Sequence, residues 1–192
     1  MIKLIFVTGN QKKLEQAKQA LSDYDIQLTN QKIETPEIQE TDVKKIAEFS
    51  AKYAANAINK PVVVTDAGYY INALNGFPGP FIKFVNQWFK PEDLLRLMSG
   101  VTDRSVSSSV CVAYCEPNKE PVSFISDNQG ILAEAPQGEG PTIDQLYIPN
   151  GYNSPIGTLD ENERLTLWNM DCWKQLADYL TKQNSPALNN GV

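Results

Sequence analysis

Three short segments hold residues whose types and spacing suit chemistry on phosphate groups. The first is TGNQKK, Thr8 to Lys13, which follows the apolar run IKLIFV and precedes a helical pattern. Gly9 lets a phosphate approach the backbone, amides at a helix N-terminus attract anions, and Lys12 or Lys13 supplies positive charge. The segment lacks the GxxxxGKS or GxxxxGKT frame of a P-loop, and a plain turn with solvated lysines is its structural alternative.

The second feature is a pair of carboxylates, Glu37 in TPEIQE and Asp66 in VVTDAG. Magnesium favours one or two carboxylates together with phosphate oxygens and water. Surface charge is the plain alternative for Glu37, and a helix cap is the alternative for Asp66. Burying Asp66 at the end of an apolar strand costs several kcal/mol unless it is paired or binds a metal. The pair therefore predicts a magnesium site that faces the phosphate loop.

Composition narrows the chemistry and the partners. The chain has no histidine, which excludes Ser-His-Asp and Cys-His nucleophile systems and imidazole bases. A net charge of −6 argues against binding a nucleic-acid polymer. No apolar run approaches the ~20 residues of a membrane span, and the N-terminal apolar stretch is too short for a signal peptide. We therefore expect a cytoplasmic protein with reduced cysteines and no membrane association.

The elements that must position these residues follow from hydrophobic periodicity. The pattern predicts strands at about 2–7, 26–33, 61–66, 105–115 and 121–127, the last two forming a hairpin. It predicts helices at 12–21, 42–59, from about 81, at 91–99 and at 161–182. In the helix at 42–59 we expect Thr41 or Asp42 as the N-cap and Ile46, Phe49, Ala54 and Ala57 among the buried residues. We expect residues 1–182 to form one α/β domain with a mixed sheet, and the polar segment 183–192 is predicted to be disordered.

The third segment is LNGFPGPFIKF, whose glycines and prolines restrict the backbone ahead of a helix. A rigid connection would explain it alone. Together with FVTGNQKKLEQ, TPEIQE and VVTDAG, however, it resembles the inosine triphosphate pyrophosphatase family, and fainter similarity continues through residues 130–152. The resemblance implies an elongated mixed sheet in two lobes flanked by helices, a central cleft and a homodimer. The loop before Phe84 and the hairpin at 105–127 are candidate dimer contacts.

The same resemblance implies roles for individual residues. Family members convert a nucleoside triphosphate to the monophosphate and pyrophosphate with Mg²⁺. Asp66 would be the catalytic carboxylate, binding the metal or activating water, and Glu37 would help to bind the metal. The implied phosphate-binding residues are Thr8, Gly9, Asn10, Lys13 and Lys52.

The chain departs from the family where the base is recognised. Ala67 follows Asp66 in place of the usual Ser or Thr, and Thr65 precedes it. GPTID replaces a GFGWD-like segment, so Ile143 stands near the stacking aromatic while Asp144 is retained. Near the C-terminus, Arg164 aligns with the family lysine, and Ser-His-Arg is replaced by Trp168, Asn169 and Met170.

Three interpretations follow from these departures. In the first, the pyrophosphatase has altered base specificity: Trp168 stacks on a base, Asn169 hydrogen-bonds to it, and Asp144 and Arg164 contribute to binding. In the second, the chain is a nucleotide-binding module or a weakly active relative. In the third, Trp168, Met170 and Trp173 form an ordinary apolar helix face, although their spacing is only partly helical.

Overall fold

The computed structural model describes residues 1–167 and 171–184. Its strands are β1 (Ile2–Val7), β2 (Ile26–Gln31), β3 (Val62–Ile71), β4 (Pro78–Gly79), β5 (Ser105–Cys115), β6 (Val122–Leu132) and β7 (Tyr147–Pro149). Its α-helices are α1 (Gln11–Ala20), α2 (Val43–Ile58), α3 (Ile82–Trp88), α4 (Pro91–Leu97), α5 (Glu161–Leu167) and α6 (Asp171–Asn184). Short 3-10 helices span Asn72–Leu74 and Ile156–Thr158.

Capping residues set the helix ends next to the predicted phosphate and metal segments. The Asn10 side chain caps α1, and the Asp42 carboxylate caps α2 by accepting a hydrogen bond from the Lys44 amide at 2.8 Å. At its other end, α2 stops at Asn59 in the left-handed conformation, with φ of 51°. The prediction that Thr41 or Asp42 caps α2 is confirmed for Asp42.

The strands of the described residues form one seven-stranded sheet in the order β2-β1-β3-β5-β6-β7, with β4 paired to β3. β1 runs parallel to both β2 and β3, whereas β3 with β4, β3 with β5, β5 with β6, and β6 with β7 are antiparallel. Helices flank this sheet. The predicted mixed α/β fold is therefore confirmed.

Three apolar clusters divide the molecule into two lobes. In the first lobe, α1 and α6 pack on one sheet face around Phe6 and Trp173, and α2 packs on the other face around Val62. In the second lobe, the far ends of β3, β5 and β6 pack with α4 and β7 around Leu94 and Tyr147. The long strands β3, β5 and β6 join the lobes, because each contributes residues to both.

A crevice is expected at the carboxyl end of β1, because the next two strands of the chain, β2 and β3, lie on opposite sides of it. The chain passes through α1 to β2 on one side of β1, and then through α2 to β3 on the other side. The two helices cover opposite faces of the sheet, as Leu14 of α1 and Ala47 of α2 show by joining different clusters. Open α/β sheets bind ligands at such a switch point.

Several predicted boundaries need correction. β3 does not end at Asp66 but continues to Ile71, because β5 pairs with it as far as Ile71 and Val106. β6 likewise extends beyond 127 to Leu132, where it pairs with β7. The tail predicted from residue 183 begins in a helix, since α6 runs through Asn184, and residues 185–192 lie outside the described part.

The buried face of α2 also differs from the prediction. Ala54 is buried as expected, but Phe49 is 40% exposed and Ala57 is exposed. The residues that face the sheet are smaller: Val43, Ala47, Ser50, Ala51, Ala54 and Ala55. Small side chains let the helix approach β3 and β5 closely. Among the helices of residues 1–167 and 171–184, none is both long and apolar enough to cross a membrane.

Candidate functional site

The candidate site lies where β1 and β3 separate. The two strands pair at Ile5 with Val62 and at Phe6 with Val63, after which β1 turns into the loop before α1. β3 therefore has a backbone edge without a strand neighbour until β4 pairs with Tyr69 and Tyr70. The Lys13 side chain extends from α1 into this gap, and its ammonium donates a hydrogen bond to the Thr65 carbonyl at 3.4 Å.

Lys13 and Asp66 are two desolvated groups of opposite charge at this edge, and they interact electrostatically without a direct ion pair. Burial lowers the pKa of the Lys13 ammonium, and the charge of Asp66 opposes that shift. Burial raises the pKa of the Asp66 carboxyl, while Lys13 and the Ala67 amide oppose the increase. Because desolvation is the largest cause for both groups, each charge is poorly compensated by the protein alone. Such groups in a crevice are candidates for ligand binding or proton transfer.

The Asp66 carboxylate also has an unused oxygen. Its Oδ2 is buried and has no hydrogen-bond partner among the described residues. A buried, unpartnered carboxylate oxygen is unfavourable, so a bound cation or a proton donor is expected there. Asp66 lies on the α2 side of the sheet, because side chains alternate along a strand and its neighbour Val64 belongs to the α2 cluster.

Glu37 approaches the same edge from the loop between β2 and α2. Its negative charge contributes to the raised pKa of Asp66, so the two carboxylates lie within electrostatic range of each other. The Glu37 carboxylate pairs with the Lys83 ammonium of α3 at 3.5 Å, and both side chains are largely exposed. The structure thus brings together Lys13, Glu37 and Asp66, which the sequence proposed on separate loops.

The donor set fits a hard cation only when a ligand completes it. No cluster of three or more His, Cys, Asp or Glu side chains in residues 1–167 and 171–184 could hold a metal ion alone. Two carboxylates, one with an unpartnered oxygen, match the one or two protein ligands that Mg²⁺ uses beside phosphate oxygens and water. The chemistry of the donors therefore fits magnesium bound together with a phosphorylated ligand.

The TGN loop is shaped by its own side chains. The Thr8 hydroxyl accepts a hydrogen bond from the Asn10 amide at 3.0 Å. The Asn10 side-chain oxygen accepts from the amides of Lys12 at 3.0 Å and Lys13 at 3.3 Å. Two first-turn amides of α1 are therefore already hydrogen-bonded, and the Lys13 ammonium is the main positive group that the loop and helix direct toward Asp66.

Lys52 lies away from this edge. Its ammonium pairs with the Glu120 carboxylate at 2.6 Å, and the two side chains are 45% and 83% exposed. Lys52 also interacts electrostatically with Cys115 at the end of β5. Cys115 is about 14 Å along the strand from Cys111, the cross-strand partner of Asp66, at ~3.4 Å per residue. The structure therefore does not bring Lys52 to Lys13 and Asp66.

Asp144 and Arg164 form a second charged group, nearer the other lobe. The Arg164 guanidinium lies 3.4 Å from the Asp144 carboxylate, and it also donates to the Leu159 carbonyl at 3.1 Å. Burial raises the pKa of Asp144, whereas the charges of Arg164 and Lys12 oppose this. The interaction with Lys12 links this pair to the start of α1. Trp168, Asn169 and Met170 lie outside the described residues.

Sequence reasoning missed a cavity beneath Lys13. Its volume is about 130 Å³, and its lining residues are Lys13, Gln16, Thr65, Ala67, Tyr69, Ser108, Val110 and Trp173. Thr65, Ala67 and Tyr69 are alternate residues of β3, so they lie on the same sheet face. That alternation was available in the sequence. The pairing with β5 that adds Ser108 and Val110 was not.

Comparison with known proteins now identifies the family. A sequence profile described as the Ham1 family matches residues 4–167. This chain belongs to the Ham1 family. A dITP/XTP pyrophosphatase of Methanopyrus kandleri is 38% identical to it over 164 residues, covering 85% of this chain and 87% of the relative. A dITP/XTP pyrophosphatase of Methanosarcina mazei is 38% identical over 165 residues, covering 85% of this chain and 89% of the relative.

Solved structures agree on the Ham1 fold. The Staphylococcus aureus Ham1 protein matches with a TM-score of 0.79 at 20% identity, covering 95% of this chain and 100% of that protein. A HAM1 protein from Coxiella burnetii matches with a TM-score of 0.78 at 24% identity, with coverage of 95% and 100%. The predicted resemblance to inosine triphosphate pyrophosphatases is confirmed at the level of family and fold.

Proposed function

We propose that this Ham1-family chain is a nucleoside-triphosphate pyrophosphatase, which hydrolyses an NTP or dNTP to the monophosphate and pyrophosphate with Mg²⁺. The observation that carries the proposal is the desolvated pair of Lys13 and Asp66 at the β1–β3 crevice, with an unpartnered Asp66 oxygen. The dITP/XTP pyrophosphatases among its relatives support the same reaction class.

Lys13 binds the phosphate chain in this proposal. Its buried ammonium gains more from an anionic ligand than a solvated lysine would, because the surrounding dielectric is low. Thr8, Gly9 and Asn10 shape the adjoining loop, with Gly9 allowing close approach of a phosphate oxygen. We do not assign Lys52 to this group, because its ammonium is paired with Glu120.

Asp66 and Glu37 would hold the magnesium ion. When bound, the ion neutralises phosphate charge and stabilises the pyrophosphate leaving group. The Lys83 ammonium, which now pairs with Glu37, is free to move because both side chains are exposed. By holding the ion, the two carboxylates would fix the position of the triphosphate relative to Lys13.

Hydrolysis requires water to attack the α-phosphorus. One P–O bond forms to the water oxygen, and the bond from the α-phosphorus to the oxygen bridging the β-phosphate breaks. Asp66 contributes either by accepting the water proton or by holding the metal. Its raised pKa suits proton acceptance, because a general base is most effective when its pKa is near the working pH.

Base specificity is proposed to differ from that of the family. The residue aligned with the family lysine is Arg164, and its guanidinium is paired with Asp144. The cation at this position is therefore already neutralised, so the family's way of recognising the base is not available there. We propose to test dITP and XTP first, because the relatives are named for them, and ITP because of the family resemblance. A stronger activity on another base would show the altered specificity.

The resemblance also supports a homodimer as a proposal. Phe77, Phe81 and Trp88 are 38%, 37% and 69% exposed, and they lie in or after the Gly- and Pro-rich loop predicted to contribute contacts. Sedimentation velocity measures the oligomeric state directly.

The reaction is tested by incubating purified protein with Mg²⁺ and a panel of natural and modified triphosphates. We expect equal amounts of monophosphate and pyrophosphate from at least one of them, and no product when EDTA removes the metal. Asp66→Asn should lower kcat/KM by about 100- to 10,000-fold, the usual contribution of a general base or metal carboxylate. Asp178→Asn, an exposed substitution on α6, is the matched control and should keep full activity.

Other outcomes would contradict the proposal. Tight nucleotide binding without turnover of any triphosphate would favour a nucleotide-binding module. Release of diphosphate and orthophosphate would place the cleavage at the γ-phosphate instead. Full activity in Asp66→Asn would remove this carboxylate from the reaction.

A further inference from the structure

Thr65, in the wall of the cavity beneath Lys13, carries a covered hydroxyl that the proposed reaction does not use. Thr65 lines this cavity, and its Oγ1 is buried without any hydrogen-bond partner among the described residues. In those residues, the only other buried side-chain oxygen or nitrogen without a partner is Asp66 Oδ2, one residue farther along β3. The two unpartnered oxygens belong to adjacent residues on opposite faces of the same strand.

An unpartnered buried hydroxyl is uncommon in folded proteins. Burying a hydroxyl without a partner is unfavourable, whereas a valine of similar shape would avoid the loss. Thr142, another buried threonine, follows the usual rule because its hydroxyl donates to the Phe89 carbonyl. The Thr65 hydroxyl has no partner in the packing around it, so the position of Thr65 in the cavity wall points to a ligand.

The lining of the cavity indicates which part of a nucleotide it fits. Ala67, Tyr69, Val110 and Trp173 provide apolar and aromatic surface, which is unfavourable for a phosphate and favourable for a planar ring. The volume of about 130 Å³ is close to the ~150 Å³ of a protein cavity that accommodates benzene, so it has room for one six-membered ring of a base. Lys13 belongs to the lining as well, so a ring inside the cavity lies next to the residue assigned to the phosphates.

Ser108 adds a second polar group to the wall. It is the cross-strand partner of Tyr69 and is hydrogen-bonded to the Tyr69 side chain. Its hydroxyl is therefore already engaged, which leaves Thr65 as the unpartnered hydroxyl of the described lining. Rotation about the χ1 bond of Thr65 exchanges its hydroxyl and methyl positions, so the covered oxygen can turn toward a ring that enters.

We propose that the cavity receives the base of the nucleoside triphosphate and that the Thr65 hydroxyl hydrogen-bonds to a polar atom of that base. This inference rests on the proposed function, because it assumes that Lys13 holds the phosphates of the same ligand. Thr65 is then a specificity-determining residue: it contacts the base but takes no part in phosphate cleavage. A site that hydrogen-bonds to its ligand discriminates strongly against analogues that lack the matching atom.

The test compares Thr65→Val, which keeps the shape and removes the hydroxyl, with Thr65→Ser, which keeps the hydroxyl. Affinity is measured by calorimetry with Mg²⁺ and an analogue of the preferred triphosphate that has a methylene group in place of the oxygen bridging the α- and β-phosphates, so that no turnover occurs. We expect Thr65→Val to weaken binding about tenfold, the value of one hydrogen bond to a ligand, and Thr65→Ser to restore most of it.

Inorganic triphosphate, which carries no base, separates the base from the phosphates. Its affinity should be unchanged within about twofold in Thr65→Val, whereas Lys13→Met should weaken both ligands. Equal losses for nucleotide and inorganic triphosphate in Thr65→Val would place Thr65 at the phosphates and overturn the proposal. Unchanged nucleotide affinity in Thr65→Val would overturn it as well.

Thermal unfolding excludes a merely structural role. Thr65→Val should unfold at the same or a higher temperature, because the hydroxyl has no partner to lose, and Thr142→Val should unfold at a lower one. A clear drop for Thr65→Val would show that Thr65 supports the fold instead. If nucleotides bind but are never cleaved, the proposed function fails while selective weakening by Thr65→Val still supports base contact.

Discussion

Two lysines predicted to bind phosphate have opposite environments. Lys13 enters the gap between β1 and β3, where burial lowers its pKa and Asp66 is the nearby opposite charge. Lys52 extends from α2 toward solvent and pairs with Glu120. Both residues lie in segments with an apolar helical pattern, and this pattern does not distinguish one lysine from the other. Their difference arises from where β1 stops pairing with β3.

The comparison shows which charges a ligand can use. Lys52 and Glu120 are both well exposed, so water solvates them and their attraction is weak. Lys13 and Asp66 have lost much of that solvation, and one Asp66 oxygen has no partner among the described residues. A bound phosphate and metal ion would replace the solvation that these two groups lose on burial. The candidate active site is thus the region where desolvated charged groups are least compensated by the rest of the protein.

Among the lysine substitutions, the largest effect is expected from removing the buried charge. Lys13→Met keeps the length and apolar contacts of the side chain but removes the ammonium. We expect kcat/KM to fall by about 100-fold or more, because a charge-assisted contact in a desolvated site is worth more than ~3 kcal/mol. Steady-state kinetics with the best triphosphate measure the loss.

Lys12→Met is the matched control for this substitution. Lys12 precedes Lys13 in α1 but is exposed, so its loss should change kcat/KM by less than Lys13→Met does. Equal effects from the two substitutions would show that only the overall positive charge of this helix end matters. The proposal that burial makes Lys13 more important for kcat/KM than Lys12 would then be wrong.

A smaller effect is expected from pH. Burial raises the pKa of Asp66, so the ionised carboxylate is lost at a higher pH than for an ordinary aspartate. Burial lowers the pKa of Lys13, so its ammonium is lost at a lower pH than for an ordinary lysine. We expect a bell-shaped profile of kcat/KM against pH that falls up to about tenfold per pH unit on each side.

The variants assign the two limbs of this profile. Lys13→Met should remove the alkaline limb displaced below the ordinary lysine range, whereas Lys12→Met should retain it. Because the two groups interact, each apparent pKa belongs to the pair. A profile with ordinary Asp and Lys midpoints would show that neither group is desolvated in the free enzyme.

The smallest effect should come from Lys52→Met. This substitution breaks an exposed ion pair, whose contribution to the free energy of unfolding is about 0–1 kcal/mol. We expect kcat/KM to stay within about twofold of the unmodified chain, since 1.4 kcal/mol corresponds to tenfold. Kinetics and thermal unfolding are measured on the same preparation. A loss as large as that of Lys13→Met would restore Lys52 to the phosphate site.

Much of the fold could be predicted from local pattern. The starts of β1, β2, α2 and α4 were close to those observed, because strand alternation and helix caps are local properties. The end of β3 was wrong, since its continuation to Ile71 depends on pairing with β5. The buried face of α2 was partly wrong, because Phe49 fits the helical period but the sheet accepts only small residues there.

Some residues of the candidate site were predicted from the sequence and others were not, for the same reason. Motif resemblance placed Lys13, Glu37 and Asp66 in one site, and the structure brings them together. It also placed Lys52 there, although the position of a long side chain depends on its neighbours in space. Thr65 was noted only for preceding Asp66. Its unpartnered hydroxyl became evident once β3, β5 and α6 enclosed a cavity.

The sequence by itself determined the family, the α/β class, the N-cap of α2 to within one residue, and the absence of histidine chemistry. These depend on residue type and spacing along the chain. Only the tertiary structure decided which charges are desolvated, which polar atoms have no partner and which lysine faces the crevice. Those properties arise when strands distant in sequence exclude water from the same volume, and no local pattern encodes that exclusion.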